Sequence, residues 1–136
     1  ATRDKVATMR RFGEAVGMAF QIQDDILDYT RTAHTGKPAN NDLREGKITL
    51  PLLAVLDKAP AERRTELLGR LACCHDDEES VEYLQRTVEN EGGLTFAAEV
   101  MRSYIARAVE MLSEYEASDY RTALANLCAY IAERDR

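Results

Sequence analysis

The chain has 136 residues, of which 45% are hydrophobic, and 24 acidic against 18 basic residues give it a net charge of −6. This charge balance argues against nucleic-acid binding, and no basic stretch with interleaved aromatic residues occurs. No apolar run approaches the roughly 20 residues that cross a bilayer, so we predict no transmembrane segment and expect a cytoplasmic protein. Three cysteines, two of them adjacent, suit a reducing compartment and match no zinc-binding spacing.

Helical periodicity dominates the chain, and no period-two strand pattern or internal repeat occurs. Pro60 opens the third predicted helix, Gly92-Gly93 closes the fourth, and Ser118 caps the sixth. The acidic run Asp76–Glu79 is typical of an N-cap followed by first-turn charge. These signals predict an all-α fold in a single domain over residues 1–136. The six predicted helices are about Thr2–Tyr29, Thr49–Lys58, Ala61–Cys73, Glu78–Asn90, Thr95–Tyr115 and Asp119–Arg134.

The last two predicted helices carry apolar residues at alternating steps of three and four, which predicts that these residues are buried. In the fifth helix the stripe is Ala98, Met101, Ile105, Ala108, Leu112 and Tyr115. In the sixth helix it is Tyr120, Leu124, Leu127 and Ile131. Methionine and aromatic residues in such stripes belong to a core far more often than to a cofactor site.

Three carboxylates, Asp24, Asp25 and Asp28, interrupt the otherwise apolar end of the first predicted helix. Burying uncompensated charge there would cost several kcal/mol, so the pattern favours a cleft in which a divalent metal ion meets the acids. Two of these acids belong to a polar stripe along the helix, which consists of Glu14, Gly17, Gln21, Asp24 and Asp28. Asp25 points away from this stripe, which indicates a flanking role. A solvated acidic patch remains the alternative to a metal site.

The segment after this helix contains two Gly-Lys pairs, Gly36-Lys37 and Gly46-Lys47. Each lysine follows a flexible glycine, so its ammonium group can approach a ligand closely. Two cations beside three carboxylates suit a diphosphate bridged by metal ions, whereas ordinary solvation is the alternative for either lysine alone. Asp42 is predicted either to N-cap a short turn at 43–46 or to belong to the site.

Taken together, residues 13–53 resemble the second aspartate-rich region of the trans-isoprenyl diphosphate synthases, also called polyprenyl synthetases. A bare Asp-Asp-x-x-Asp motif also occurs in terpene cyclases, but the two Gly-Lys pairs argue against that class. The segment 42–51 looks most like the medium- and long-chain bacterial members, such as octaprenyl diphosphate synthases. The matching pieces are Gly17, Phe20, Gln21, Asp24, Asp25 and Asp28, then Gly36-Lys37, Asp42-Leu43, Gly46-Lys47, Thr49 and Pro51.

The resemblance implies the C-terminal portion of the isoprenoid-synthase helical bundle and a Mg²⁺ site. Asp24 would be a direct Mg²⁺ ligand, Asp28 would reach the same ion directly or through water, and Asp25 would support both.

The resemblance also implies the substrates, an allylic diphosphate and isopentenyl diphosphate, which are joined head to tail. Lys37 would contact the allylic diphosphate, and Lys47 and Asp42 would lie near that diphosphate or its metal ions. Phe20 and Gln21 would flank the position where the carbocation forms. Such a reaction needs stabilisation of a departing diphosphate and does not need a catalytic nucleophile with its base. The chain contains no plausible pair of that kind.

Members of this family carry a first aspartate-rich motif with nearby arginines well upstream of the second, and this chain does not contain it. We therefore expect a C-terminal fragment, or an incomplete gene product, that is inactive alone in prenyl transfer. A homodimer is usual in the full-length family. The alternative function is that of a non-catalytic helical accessory subunit of a heteromeric synthase. The intact set of three acids favours a catalytic origin.

Overall fold

The computed structural model describes residues 3–35 and 39–133, and side chains at 3–30 and 39–133. This part of the chain is helical and contains no strand, as the sequence predicted. None of its helices is both long and apolar enough to span a bilayer. The helices are α1 (Arg3–Thr35), α2 (Asn41–Arg44), α3 (Leu50–Lys58), α4 (Ala61–Cys73), α5 (Glu78–Asn90), α6 (Gly93–Leu112) and α7 (Asp119–Glu133).

The chain groups into two compact units, and the predicted single domain stays a prediction. Among the described residues, the first unit comprises 3–23 and 99–133, and the second comprises 24–35 and 39–98. The boundaries therefore fall inside α1 and inside α6.

The first unit contains the beginning of α1, the end of α6, and α7. The hydroxyl of Tyr115 donates a hydrogen bond of 2.9 Å to the carbonyl of Lys5, which links the segment after α6 to α1. Ser118 accepts a hydrogen bond of 3.1 Å from the backbone N–H of Arg121, so the predicted cap of the last helix is confirmed. The predicted stripe on α6 is confirmed at four of its six positions, whereas Ala98 and Tyr115 are half-buried. Its buried members are Met101, Ile105, Ala108 and Leu112.

The prediction for α7 was wrong in part. Ile131 is buried and Leu124 half-buried, but Tyr120 and Leu127 are 64% and 43% exposed. The buried positions of α7 are Cys128 and Ile131. Two neighbouring stripes on this helix both have helical spacing, and the small thiol side chain of Cys128 occupies the interior while the larger leucine beside it stays at the surface.

The second unit is built around one apolar cluster, which α3, α4 and α5 dominate. Burial of each large aliphatic side chain in such a cluster contributes about 2 kcal/mol, so helix packing rather than propensity holds this unit together. The N-cap of α5 is Asp77, which accepts from the backbone N–H of Glu79 at 3.2 Å, as the acidic run predicted. The buried cluster consists of Tyr29, Leu43, Leu52, Val55, Leu56, Ala59, Leu67, Leu71, Cys74, Val81, Leu84 and Val88.

The predicted helix boundaries hold closely for α3, α4, α5 and α7 and less well for α1 and α6. The backbone of α1 continues six residues past Tyr29 to Thr35, and α6 begins at Gly93 rather than at Thr95. Gly92 ends the connection after α5 with φ +81°. Gly93 packs against α3, since a Cβ at this position would lie 2.3 Å from the carbonyl oxygen of Pro51. The second glycine therefore serves close helix packing as well as the turn.

Candidate functional site

The three acids of α1 lie next to each other in the second unit, and they differ in burial. Asp24 and Asp25 are half-buried, whereas Asp28 is only 6% exposed. Leu27 and Tyr29 on either side of Asp28 are also buried. The charge of Asp28 is therefore withdrawn from water, and such a carboxylate needs hydrogen-bond donors or a cation.

Backbone amides supply those donors to Asp28. Its Oδ2 accepts from the N–H of Asp42 at 2.9 Å and its Oδ1 accepts from the N–H of Asn41 at 3.3 Å. The carbonyl of Asp28 also accepts from the N–H of Asn40 at 2.7 Å. The carboxylate of Asp28 thus fastens the start of α2 to α1, and each oxygen keeps a further lone pair for another partner.

The alternative in which Asp42 N-caps this short helix was wrong. The N-cap position belongs to Asn40, whose backbone is left-handed (φ 65°, ψ 29°) and whose side chain makes no capping hydrogen bond. Asp28, thirteen residues earlier in the chain, satisfies the first amides of α2 instead. The carboxylate of Asp42 is consequently not used as a cap and lies half-buried within the first turn.

Burial and neighbouring carboxylates both act on Asp25. Its pKa is raised to about 6, first by burial and then by the charges of Asp42, Asp24 and Asp28, whereas Lys47 lowers it. The pKa of Asp42 is raised too, by burial and by the charge of Asp28. The structure therefore brings Asp42 to the acids of α1, and the flanking role of Asp25 stays a prediction.

Lys47 extends from the end of the α2 turn and is exposed. Its N–H donates to the carbonyl of Asp42 at 2.8 Å, and its ammonium group forms an ion pair of 2.9 Å with Glu45. The pKa of Lys47 is raised chiefly by Glu45, with smaller contributions from Asp42 and Asp25. Lys47 thus contributes positive charge near these acids, and the sequence did not reveal that Glu45 is its ion-pair partner.

The remaining predicted site residues are placed less fully. Phe20 and Gln21 belong to the first unit and are exposed on α1, with 47% of Phe20 accessible. Lys37 lies outside the described residues. Its predicted contact with an allylic diphosphate stays a prediction, as do the roles of Phe20 and Gln21.

The donor set can be tested against the predicted Mg²⁺. Within the part of the chain whose side chains are described, no three carboxylate, imidazole or thiol groups are arranged to hold one ion by themselves. Mg²⁺ commonly takes one or two protein carboxylates and completes its octahedron with water and phosphate oxygens. All candidate donors here are carboxylate oxygens. The pKa of Asp25 is raised first by burial and then by neighbouring negative charge, and a divalent cation would relieve the second of these causes. The residues fit a hydrated Mg²⁺ shared with a phosphate ligand.

Behind these acids lies a set of buried polar groups that the sequence did not single out. Tyr29 is 2% exposed, and its hydroxyl, Oδ1 of Asn40 and the hydroxyl of Thr49 have no hydrogen-bond partner among the described residues. Burial raises the pKa of the Tyr29 phenol well above its usual range, and the nearby charge of Asp28 adds to the rise. The hydroxyl of Thr49 is close enough to Tyr29 to oppose the rise in its pKa. No hydrogen bond of ordinary geometry joins the two hydroxyl groups.

Known proteins resemble this chain over nearly its whole length. A short chain isoprenyl diphosphate synthase of Methanothermobacter thermautotrophicus is 33% identical over 132 residues, covering 96% of this chain and 40% of the relative. An all-trans-nonaprenyl-diphosphate synthase (geranyl-diphosphate specific) of Rhodobacter capsulatus is 39% identical over 127 residues, covering 93% and 38%. The chain thus spans about 40% of the length of these relatives.

A solved structure shares the fold. The crystal structure of a polyprenyl synthase from Caulobacter crescentus, complexed with calcium and isoprenyl diphosphate, superposes with a TM-score of 0.85 at 30% identity. The match covers all of this chain and 42% of that one. Residues 1–90, which include the whole acidic region and the α2 turn, match the family described as Polyprenyl synthetase. This chain therefore belongs to the polyprenyl synthetase family, the trans-isoprenyl diphosphate synthases.

Proposed function

We propose that this protein is part of a Mg²⁺-dependent prenyltransferase that condenses an allylic diphosphate head to tail with isopentenyl diphosphate. The chain would supply the second aspartate-rich part of the active site. One observation carries the proposal: Asp28 of α1 holds the first amides of the α2 turn, so that Asp42 and Lys47 lie close enough to influence the charged groups of α1. Membership of the family and the all-oxygen donor set support it.

The acids would divide the work between metal binding and loop placement. Asp24 would bind Mg²⁺ directly, and Asp28 would reach the ion directly or through water while its oxygens hold the α2 turn. Asp25 would keep the local potential negative enough to attract the ion. When bound, Mg²⁺ would supply neutralisation of the diphosphate charge, the largest electrostatic requirement of this reaction class.

The basic residues would act on the diphosphate itself. Lys47, together with Lys37 on the preceding segment, would offset the negative charge that Mg²⁺ leaves on the leaving group. Phe20 and Gln21 would flank the allylic carbon, where an aromatic face and an amide dipole stabilise developing positive charge.

This sequence contains a single Asp-Asp-x-x-Asp motif. We therefore propose that the 136-residue chain binds Mg²⁺ and diphosphate weakly and does not transfer prenyl groups alone. We further propose that the full-length protein works as a cytoplasmic homodimer.

Binding of inorganic pyrophosphate tests the proposal directly. Isothermal titration of the chain with pyrophosphate, with and without Mg²⁺, should give binding only when Mg²⁺ is present. Asp24→Asn should weaken that binding at least tenfold, as expected for loss of a charged metal ligand. Asp57→Asn is the matched control, because it removes the same charge from an exposed site on α3 of the same unit.

A second pair of variants addresses the lysine. Lys47→Gln should weaken Mg²⁺-dependent pyrophosphate binding, whereas Lys58→Gln, which neutralises an exposed lysine at the end of α3, should not. Pyrophosphate binding that ignores Mg²⁺, or that Asp24→Asn leaves intact, would contradict the metal-site assignment and favour the accessory-subunit alternative. Incorporation of isopentenyl diphosphate by the purified chain alone would overturn the proposed inactivity.

A further inference from the structure

Arg44 joins the α2 turn to a different helix from the one that Asp28 uses. Its Nη2 donates to Oε1 of Glu78 at 2.6 Å, and its Nη1 donates to the carbonyl oxygen of Ala39. Glu78 is the first residue of α5, and Ala39 precedes the turn. The side chain of Arg44 is 35% exposed and that of Glu78 is 63% exposed, so water competes with this ion pair and its contribution is modest.

The backbone of this turn is one hydrogen-bonded unit. The N–H of Arg44 donates to the carbonyl of Asn40 at 3.1 Å, and the N–H of Glu45 donates to that of Asn41 at 3.0 Å. The N–H of Lys47 donates to the carbonyl of Asp42 at 2.8 Å. A displacement of Arg44 is therefore transmitted both to Asp42, two residues before it, and to Lys47, three residues after it.

Without Arg44, two contacts would still hold the α2 turn: the hydrogen bonds from its first amides to Asp28, and the burial of Leu43. Asp28 binds the beginning of the turn, and Leu43 is fully buried in the apolar cluster. These two contacts reach the later part of the turn, where Lys47 is located, only through hydrogen bonds within the turn. The hydrogen bond from Arg44 to Glu78 connects the turn, between Asp42 and Lys47, directly to α5.

We propose that Arg44 is a positioning residue, which fixes the carboxylate of Asp42 and the ammonium group of Lys47 relative to the acids of α1 by tying the α2 turn to Glu78 and to the carbonyl of Ala39. The positioning is a property of the fold, and its consequence for ligand binding rests on the proposed function. A planar guanidinium reaches two acceptors through two separate nitrogen atoms, so lysine replaces it incompletely.

Amide hydrogen exchange tests the positioning without a ligand. Arg44→Gln should accelerate exchange at the amides of Asp42 and Lys47 by about three- to tenfold, the range expected for a partly exposed charge-assisted hydrogen bond. The amide of Leu84, in the buried centre of α5, should exchange at its original rate, because the change is local. Arg44→Lys should give an intermediate acceleration.

The matched control is Arg63→Gln. Arg63 forms a short ion pair with Glu91 at the opposite end of α5, and its side chain is 36% exposed, nearly the same as Arg44. This variant removes an ion pair of the same kind from the same unit. It should leave the exchange of Asp42 and Lys47 unchanged.

Pyrophosphate titration in the presence of Mg²⁺ measures the functional consequence. Arg44→Gln should weaken binding by about two- to tenfold, Arg44→Lys should restore part of it, and Arg63→Gln should have no effect. Glu78→Gln should weaken binding less than Arg44→Gln, because the bond to Ala39 survives. The Arg44→Gln/Glu78→Gln double variant should be no worse than Arg44→Gln alone, since both changes remove the same contact.

The two measurements separate the two ideas. If exchange accelerates in Arg44→Gln but the unaltered chain does not bind pyrophosphate with Mg²⁺, the positioning stands and the proposed function fails. If exchange at Asp42 and Lys47 is unchanged in Arg44→Gln, the positioning proposal is overturned. Equal effects of Arg44→Gln and Arg63→Gln on exchange would overturn it as well, because they would indicate a general loss of stability.

Discussion

Replacement of Asp25 by asparagine should make this chain more stable at neutral pH. The pKa of Asp25 is raised from 3.8 to about 6, by burial and then by Asp42, Asp24 and Asp28, so ionised Asp25 opposes folding. A rise of that size corresponds to at most about 3 kcal/mol. Because Asp25 is only half-buried, solvent screening reduces the expected gain to about 1 kcal/mol.

The sign of this effect with pH follows from linkage. A carboxyl group whose pKa is higher in the folded than in the unfolded state binds more protons when folded, so its contribution to stability falls as pH rises between about 4 and 6. The full penalty of Asp25 is present above pH 6 and absent below pH 4. Urea unfolding of both proteins without divalent ions should therefore give a gain of about 1 kcal/mol for Asp25→Asn at pH 7.5. That gain should shrink at pH 5.

The control for this prediction is Asp57→Asn, which removes an exposed carboxylate from α3. Surface substitutions of this kind change stability by less than about 0.5 kcal/mol. Two results would refute the reasoning. Asp25→Asn could destabilise the chain at pH 7.5, or its effect could be the same at pH 7.5 and pH 5. Either result would mean that burial and the neighbouring acids do not raise the pKa of Asp25 in the folded chain.

Two further substitutions have expected outcomes. Gly93→Ala should destabilise the chain by about 1–3 kcal/mol in urea unfolding, because its Cβ would lie 2.3 Å from the carbonyl oxygen of Pro51. Gly69→Ala on α4 should instead stabilise the chain by about 0.5–1 kcal/mol, because a Cβ there meets open space. Glu45→Gln should strengthen Mg²⁺-dependent pyrophosphate binding by about two- to threefold in titration calorimetry, because it releases Lys47 from a competing ion pair of 2.9 Å.

Both predictions have defined contrary results. Equal stability changes for the two glycine variants would show that the packing of α6 against α3 tolerates a methyl group. For the glutamate, Glu82→Gln on α5 removes the same charge from an exposed site and should leave pyrophosphate affinity unchanged. A gain of the same size in both variants would point to net charge rather than to the ion pair.

Most of the fold could be predicted because its signals are local. The bounds of α3, α4 and α5 follow from proline, acidic caps and apolar periodicity, and they agree with the structure. The structure continues α1 six residues beyond its predicted end, because residues 30–35 include no proline or glycine that stops a helix. On α7 the helix itself was predicted, but spacing alone could not decide whether Leu127 or Cys128 faces inward.

The sequence by itself determined the family and the residue types of the proposed site, because the Asp-Asp-x-x-Asp motif and the Gly-Lys pairs are read directly from the chain. Only the tertiary structure decided which contacts these residues make. Asp28 caps α2 across thirteen residues, Asp42 joins the acids of α1, and Arg44 reaches Glu78 on α5. Long-range contacts of this kind depend on where distant segments of the chain pack. The electrostatic effect of one acid on another depends on the distance between those segments, so local sequence spacing predicts neither the contacts nor the effect.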